Sequence, residues 1–517
     1  MEIEKMSQPA WITEAPFKFS KVLIANRGEI ACRIIRGCKE MGLATVAIYN
    51  DADISAMHVE LADESVHLEG SELSSTYLSQ NAIINACRTS GADALHPGYG
   101  FLSERSEFAE LVGASGIIWI GPPAKAIDSM GDKVRSRRLM IDAEVPLVPG
   151  AELASGKSLP ETIEELHRHA TEIGYPLLLK ASAGGGGKGM REVKSPGELE
   201  TSYLAAQREA LSSFGDDTVY IERRIVAPRH IEIQLLCDTH GGAIHLLERE
   251  CSIQRRHQKV IEEAPSVALT PEMRDAMGEA AVNAARAVHY VGAGTVEFLQ
   301  SGNEFFFLEM NTRLQVEHPV TEFITGVDLV QEQLRIAAGL PLTISQDEVS
   351  PRGWAIEARI YSEDAANGFL PATGPLSVWR PPEGPGIRLD TGVREGDEAR
   401  IDFDPMLAKL IVHAPSREGA IERMRRALGD FIILGVTTNI EFLHDVVAHP
   451  KFASGDTTTN FIEREWPNGW SSKGDEKVAV IAAAVGEKAG LHLTSAISKS
   501  DSPDPYNPFL TISRNFP

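Results

Sequence analysis

The segment EMNTRLQVEHPVTE (309–322) places a chemically capable side chain at every second position: Glu309, Asn311, Arg313, Gln315 and Glu317. Alternate side chains of an extended chain share one face, so these five would project together, with Met310, Thr312, Leu314 and Val316 opposite. The preceding FFFL (305–308) ties the segment to a core. Burying two acids, two amides and a guanidinium on one face is costly without a ligand; a solvated edge-strand face is the competing reading. Glu309 and Asn311, with Glu297 on the neighbouring strand, are the hard oxygen donors that Mg²⁺ (or Mn²⁺) takes alongside water and substrate phosphates. Arg313 offers a planar fork for a small oxyanion. Glu317 is a candidate general base.

Two further segments could serve such a centre. ERECSIQRRHQKVIEEAP (248–265) gathers Arg249, Arg255, Arg256, His257 and Lys259, which reads as an anion site facing the carboxylate strand, or else as a solvated basic loop. Metal, lysines and arginine around one pocket suit phosphoryl transfer, a chemistry of positioning and charge neutralisation. Gly184, Gly186 and Gly189 satisfy G-x-G-x-x-G after the strand YPLLLKAS (175–182), but MREV (190–193) continues as a strand and a helix begins only near Pro196. A dinucleotide turn needs a helix at once. Four consecutive glycines between strands read instead as a flap whose amides close on phosphates, flanked by Lys180 and Lys188; a plain surface turn is the alternative. GKS (156–158) lacks the P-loop glycine, because position 151 is Ala. The glycines of HPGYGFLSE (96–104) admit a purely structural role.

These groups need elements to hold them. KVLIAN (21–26), TVAIYN (45–50), ADALHP (92–97) and IIWIGP (117–122) alternate with helical stretches at 29–41, near 76–89 and near 103–113, which predicts βαβ units and a parallel sheet. Farther on, GTVEFLQ (294–300) and NEFFFLEMN (303–311) flank the turn SGN, a β-hairpin signal. The expected class is therefore α/β joined to α+β. The 517 residues carry 50 Lys plus Arg against 73 Asp plus Glu, a formal charge of −23. Such a chain repels a phosphate backbone, so nucleic-acid binding is not expected, and an anionic ligand needs a local gathering of cations. No apolar run approaches the length of a membrane span, and the N-terminus lacks the pattern of a secretory signal. Five cysteines without C-x-x-C spacing fit a reducing compartment, so a cytoplasmic enzyme is expected. A helix candidate lies at 477–489.

With these residues assembled, the chain closely resembles biotin carboxylase, the ATP-grasp component of biotin-dependent carboxylases. The matching strings, in family order, are ANRGEIACRIIR, HPGYGFLSE, MGDKVRSR, KASAGGGGKGM, CSIQRRHQKVIEEAP, EMNTRLQVEHPVTE and GWAIEARIYSED. The resemblance implies an N-terminal arm (1–19), a Rossmann-like pre-ATP-grasp domain (20–134) and an ATP-grasp domain (135–350) with a glycine-rich lid at about 149–224. A C-terminal biotin carboxylase domain (351–466) and an extension (467–517) would follow. It implies that Lys133, Lys180 and the lid Gly184, Gly185, Gly186 and Gly187 meet ATP phosphates, that Glu222 with Arg223, Arg224 and Ile225 holds adenine, and that His230, Gln254, His257 and Leu299 line the nucleotide. Glu297, Glu309 and Asn311 would bind the metal. Lys259, Arg313, Gln315, Val316 and Glu317 would hold bicarbonate, Glu317 would deprotonate it to give carboxyphosphate, and Arg359 would stabilise the biotin enolate.

Single-chain members of that family carry an A-M-K-M-type biotinyl lysine near the C-terminus, and this chain has no such string. The expectation is a carboxylase subunit acting on a separate biotin carboxyl carrier protein, with a carboxyltransferase partner, as a homodimer in a larger acyl-CoA carboxylase or, second, a pyruvate carboxylase. Two other readings compete. A different ATP-grasp carboxylate–amine ligase would have no use for a bicarbonate site with its own base. A silent regulatory subunit would lack one of Lys259, Glu309, Arg313 or Glu317, and all four are present.

Overall fold

The computed structural model describes residues 17–153, 158–181, 190–400, 402–472 and 474. The short apolar runs of the first segment form a five-stranded parallel sheet in the order β3-β2-β1-β4-β5, with β1 Lys21–Ile24, β2 Ala44–Tyr49, β3 Glu64–His67, β4 Ala94–His96 and β5 Ile118–Trp119. The Gly28–Glu40 helix covers it with a buried stripe of Ile30, Ile34, Ile35 and Cys38, the spacing of one helical face. Two expected helices start three or four residues late, at Gln80 and Ser106. Thr76 to Ser79 form turns first, and Ser79 then accepts from the Ala82 amide.

The next strands build two sheets. β6 (Gly150–Glu152), β7 (Leu177–Ala181), β8 (Met190–Val193) and β9 (Val219–Arg223) form an antiparallel flap in the order β6-β9-β7-β8, packed on the Leu159–Ile173 and Leu199–Phe214 helices. Lys180 pairs with Met190 across the expected glycine turn; Gly184 to Gly187 and Lys188 lie outside the described residues. Ser158 of the GKS string begins a helix, its amide and hydroxyl donating to Glu161 at 2.9 and 2.7 Å.

The larger sheet has eight strands: β14 (Glu304–Asn311), β13 (Gly292–Ser301), β10 (Arg229–Cys237), β11 (Ala243–Arg255), β12 (Gln258–Ala264), β15 (Trp354–Tyr361), then Met406–Ala414 and Ile387–Thr391. The β13–β14 hairpin turns at Gly302, whose φ of +59° suits glycine. The β12–β15 ladder carries this one sheet across residue 350, so the C-terminal segment extends the sheet that holds the centre of the site. All five cysteines are buried and unbridged. No described helix is long and apolar enough to cross a membrane. Residues 1–16 and the 477–489 helix candidate lie outside the described residues.

Candidate active site

The flap, the β10–β14 face and β15 enclose a cleft of about 1500 Å³. It collects Lys180 from β7, Glu222 and Arg223 from β9 with Arg224 and Ile225 just beyond, His230 from β10, Gln254 from β11, and His257 and Lys259 from the β11–β12 turn and β12. Glu297 and Leu299 from β13, Glu309 and Asn311 from β14, Arg313, Gln315, Val316 and Glu317 after β14, and Arg359 from β15 complete it. Lys133 opens the Lys133–Asp142 helix, but its side chain, like the lid glycines, lies outside the described part.

Lys259 is the hub. Its ammonium donates to Glu232 at 2.6 Å, Glu317 at 2.7 Å and Glu297 at 2.8 Å. Burial would lower its pKa, but those three carboxylates hold it well above the ordinary lysine value. An extra residue in β12, where the register with β11 shifts between Ile253 and Gln254, turns Lys259 and Glu262 toward the same interior. Fully buried Arg249 anchors the hub from beneath: it pairs with Glu232 and donates to Gln234 at 2.7 Å and Thr321 at 2.9 Å. Glu317 lies between Lys259 and Arg359, the latter at 3.0 Å. Burial alone would raise its carboxyl, yet Lys259 first, then Arg359 and Arg249, hold it well below the usual carboxylate range.

Three sequence expectations change here. The strand stops at Asn311 instead of running through Glu317, and Glu317 becomes the residue before the His318–Thr325 helix, with Pro319 in its first turn. Asn311, Arg313, Gln315 and Glu317 still converge, because the intervening loop buries Leu314 and folds around Glu297: the Asn311 and Gln315 amides both donate to it at 2.9 Å. Second, the basic segment is not one cationic patch. Arg249 is internal, and Arg255 pairs with Glu363 at 3.2 Å over the Phe369 ring, leaving Arg256, His257 and Lys259 on the cleft. Third, His230 sits 2.9 Å from Glu297 as well as beside Gln254, which draws it toward the acidic centre.

The Arg313 guanidinium is fixed on the cleft wall: its nitrogens donate to Glu104 and Gln315 at 2.9 Å and to Asn311 at 3.0 Å. Glu104 and Tyr99, both from HPGYGFLSE, line the cleft without having been singled out as site residues, and fully buried Glu232 anchors Lys259 from behind it. The available signal for Tyr99 and Glu104 was their place in a matching string, whereas Glu232 lies in none of those strings; the partners of Glu104 and Glu232 lie far away in sequence. On the flap side of the cleft, Lys180 donates to Glu222 at 2.6 Å and Arg137 to the same carboxylate at 3.1 Å.

Glu297 and Glu309 stand in direct cross-strand register and Asn311 bonds Glu297. Lys259 and then His230 outweigh burial and keep Glu297 ionised, far below the ordinary range. Two carboxylates and an amide oxygen beside one another are a donor set that a hard divalent cation accepts.

A glycine-linked flap over a cleft with paired acids, a lysine hub and an oxyanion fork defines an ATP-dependent ligase of the ATP-grasp class. Three family descriptions match in order: "Biotin carboxylase, N-terminal domain" over residues 18–127, "Carbamoyl-phosphate synthase L chain, ATP binding domain" over 132–345, and "Biotin carboxylase C-terminal domain" over 357–464. The chain is 50% identical over 510 residues to a propionyl-CoA carboxylase alpha chain of Ruegeria pomeroyi, covering 94% of this chain and 74% of that one. It is 49% identical to the mitochondrial methylcrotonoyl-CoA carboxylase subunit alpha of Mus musculus, covering 95% and 68%. The biotin carboxylase domain of the 2-oxoglutarate carboxylase of Hydrogenobacter thermophilus, solved as a dimer with MgADP and bicarbonate, superposes with a TM-score of 0.81 at 46% identity, covering 89% of this chain and all of that one. The chain belongs to the biotin carboxylase family. Against curated relatives of this kind it spans between 60% and 74% of their length.

Proposed function

We propose that this chain carboxylates biotin at the expense of ATP and bicarbonate. The observation that carries this reading is the convergence of Lys259, Arg313, Gln315, Glu317 and Arg359 beside the Glu297–Glu309 pair in one cleft. Arg313 and Lys259, with Gln315 and the Val316 backbone, would hold bicarbonate, and Glu317 would take its proton. Lys259 and Arg359 pair with Glu317 here; when they turn to the incoming anion, Glu317 regains basicity at the moment it must act. Bicarbonate oxygen then attacks the γ-phosphorus, ADP departs and carboxyphosphate forms. Its breakdown gives CO₂ and phosphate; the phosphate takes the ureido N–H proton of biotin, Arg359 stabilises the resulting enolate, and the freed nitrogen bonds to CO₂. Glu297, Glu309 and Asn311 would hold Mg²⁺ or Mn²⁺. That cation, when bound, neutralises charge on the transferring phosphoryl group.

Lys180 and the residues of β9, with His230, Gln254, His257 and Leu299, would form the nucleotide side, and the family resemblance adds Gly184 to Gly187 as phosphate contacts. Biotin would arrive on a carrier protein and leave to a carboxyltransferase, acting on an acyl-CoA as the named alpha-chain relatives do; the dimeric Hydrogenobacter domain supports a homodimer. We place the enzyme in the cytoplasm. The deciding experiment measures bicarbonate- and biotin-dependent ADP release. Arg313→Ala is expected to lower it on the order of 10²- to 10³-fold, as loss of an oxyanion donor does, with ATP affinity changed less than about threefold. Equal loss of ATP binding would move Arg313 to the nucleotide; turnover without bicarbonate would refute the reading.

A further inference from the structure

Behind the cleft, Glu262 on β12 and Glu357 on β15 stand directly opposite each other in antiparallel register, both fully buried. Side chains so paired have Cβ atoms about 5 Å apart. Glu262 Oε1 accepts from Arg359 Nε at 2.6 Å, and Arg359 Nη2 reaches on to Glu317 at 3.0 Å. Among the described residues, no donor reaches Glu262 Oε2 or either oxygen of Glu357. Three buried acceptors without a donor are what an uncompensated polar site cannot sustain.

We propose that Glu262 and Glu357 share a single proton and together form the positioning element for Arg359, deciding how much of its charge is delivered to Glu317. The inference rests on the reading of Glu317 as the base that deprotonates bicarbonate. Glu262 is faced by Arg359 on β15, Glu317 before the helix, Lys259 on its own strand and Cys251 on β11; Glu357 is faced in addition by Lys409 from the Met406–Ala414 strand and by Tyr99 from the loop after β4. Burial, only partly offset by Arg359, pushes Glu262 up to about 7, and burial pushes Glu357 well above its ordinary value despite Lys409. Near neutral pH the pair therefore passes from two protons to one while keeping the proton between them. With Glu262 protonated, Arg359 is committed to Glu317 and blunts it as a base. With Glu262 ionised, Arg359 is divided between two carboxylates and Glu317 becomes the stronger base. The bicarbonate-dependent rate should thus climb with pH through the neutral range.

The test is the pH profile of bicarbonate- and biotin-dependent ADP release by the full chain, alongside infrared titration of the buried protonated carboxyl band. In Glu357→Gln the amide donates to Glu262, so the acid limb should move down by at least about one pH unit. Glu262→Gln should abolish the limb and leave a low, pH-independent rate with unchanged KM for ATP. The carboxyl band should be present at pH 7 in the wild type and lost in Glu357→Gln. Glu357→Gln leaves the Arg359–Glu262 contact in place, so it carries the test alone if Glu262→Gln, which strips Arg359 of a carboxylate, fails to fold. An absent or unaltered band overturns the shared proton. Rates lowered equally at every pH, with the limb unmoved, overturn the link to Glu317 and leave a structural role. Wild-type protein without bicarbonate-dependent turnover overturns the proposed function instead, and the band then reports on the pair by itself.

Discussion

Lys259 holds three buried carboxylates together, so its removal tests the electrostatics of the centre directly. Burial raises the Glu297 and Glu317 carboxyls, but Lys259, together with His230 at Glu297 and with Arg359 and Arg249 at Glu317, outweighs it and holds both well below their unfolded range. That difference stabilises the fold above about pH 4.3 and is lost only as pH falls through the lower folded values. In Lys259→Met that cation is gone, burial is less fully offset by Arg359, Arg249 and His230, and the folded values rise. The variant should be destabilised by about 3–5 kcal/mol near pH 7, the usual cost of stranding buried charge, with the deficit shrinking toward pH 5 as the acids take up protons. Thermal denaturation from pH 5 to 8 checks this, and a deficit that grows on acidification would contradict it. The residue types at this centre were legible in the sequence. Their partners were not: nothing in ERECSIQRRHQK distinguishes Arg249, sealed beneath the sheet, from Lys259 on the cleft.

Among the elements, the loop after β4 shows a backbone requirement. Gly98 has φ of +65°, and a Cβ there would lie 2.9 Å from Asn26 Nδ2, which donates to the Pro97 and Tyr99 carbonyls at 2.8 Å. Asn26 thereby straps down the loop that brings Tyr99 to the cleft and Glu104 to Arg313. Gly98→Ala should cost about 1–3 kcal/mol in stability and raise the KM for bicarbonate more than that for ATP. Chemical denaturation and initial rates decide, and equal changes in both KM values would disconnect this loop from the Arg313 fork. Strand and hairpin signals were readable where period two and a tight turn coincide, as at β13–β14. The run 309–317 kept that period without being one strand. A helix with Pro319 in its first turn takes the chain off the sheet, and the alternation of residue types carries no record of where pairing ends.

At the scale of the molecule, buried histidines add an acid weakness distinct from the carboxylate cleft. Burial pushes His58 down to about 4 and His96 to about 3, so both stay neutral in the fold. Below the unfolded value near 6.5 the unfolded chain binds protons that the fold refuses, so stability declines from pH 6.5 downward, by at most about 1.4 kcal/mol per pH unit for each histidine. His58→Gln, which keeps a donor for the Ile48 carbonyl, should flatten the fall of the melting temperature between pH 7 and 5. An unchanged slope would remove His58 from the cause. The order of segments was visible in the sequence, but the sheet that crosses residue 350 was not, since pairing between β12 and β15 spans a long insertion.

That shared ladder has a genealogical consequence. A recombination breakpoint between residues 264 and 354 would set a β12 from one ancestor against a β15 from another, and both would have to agree on the register that places Glu262 opposite Glu357. The flap faces no such demand, because its four strands pair only with one another among the described residues. Inherited as a cassette, the flap could be traded between lineages, whereas the two sides of the seam must descend together.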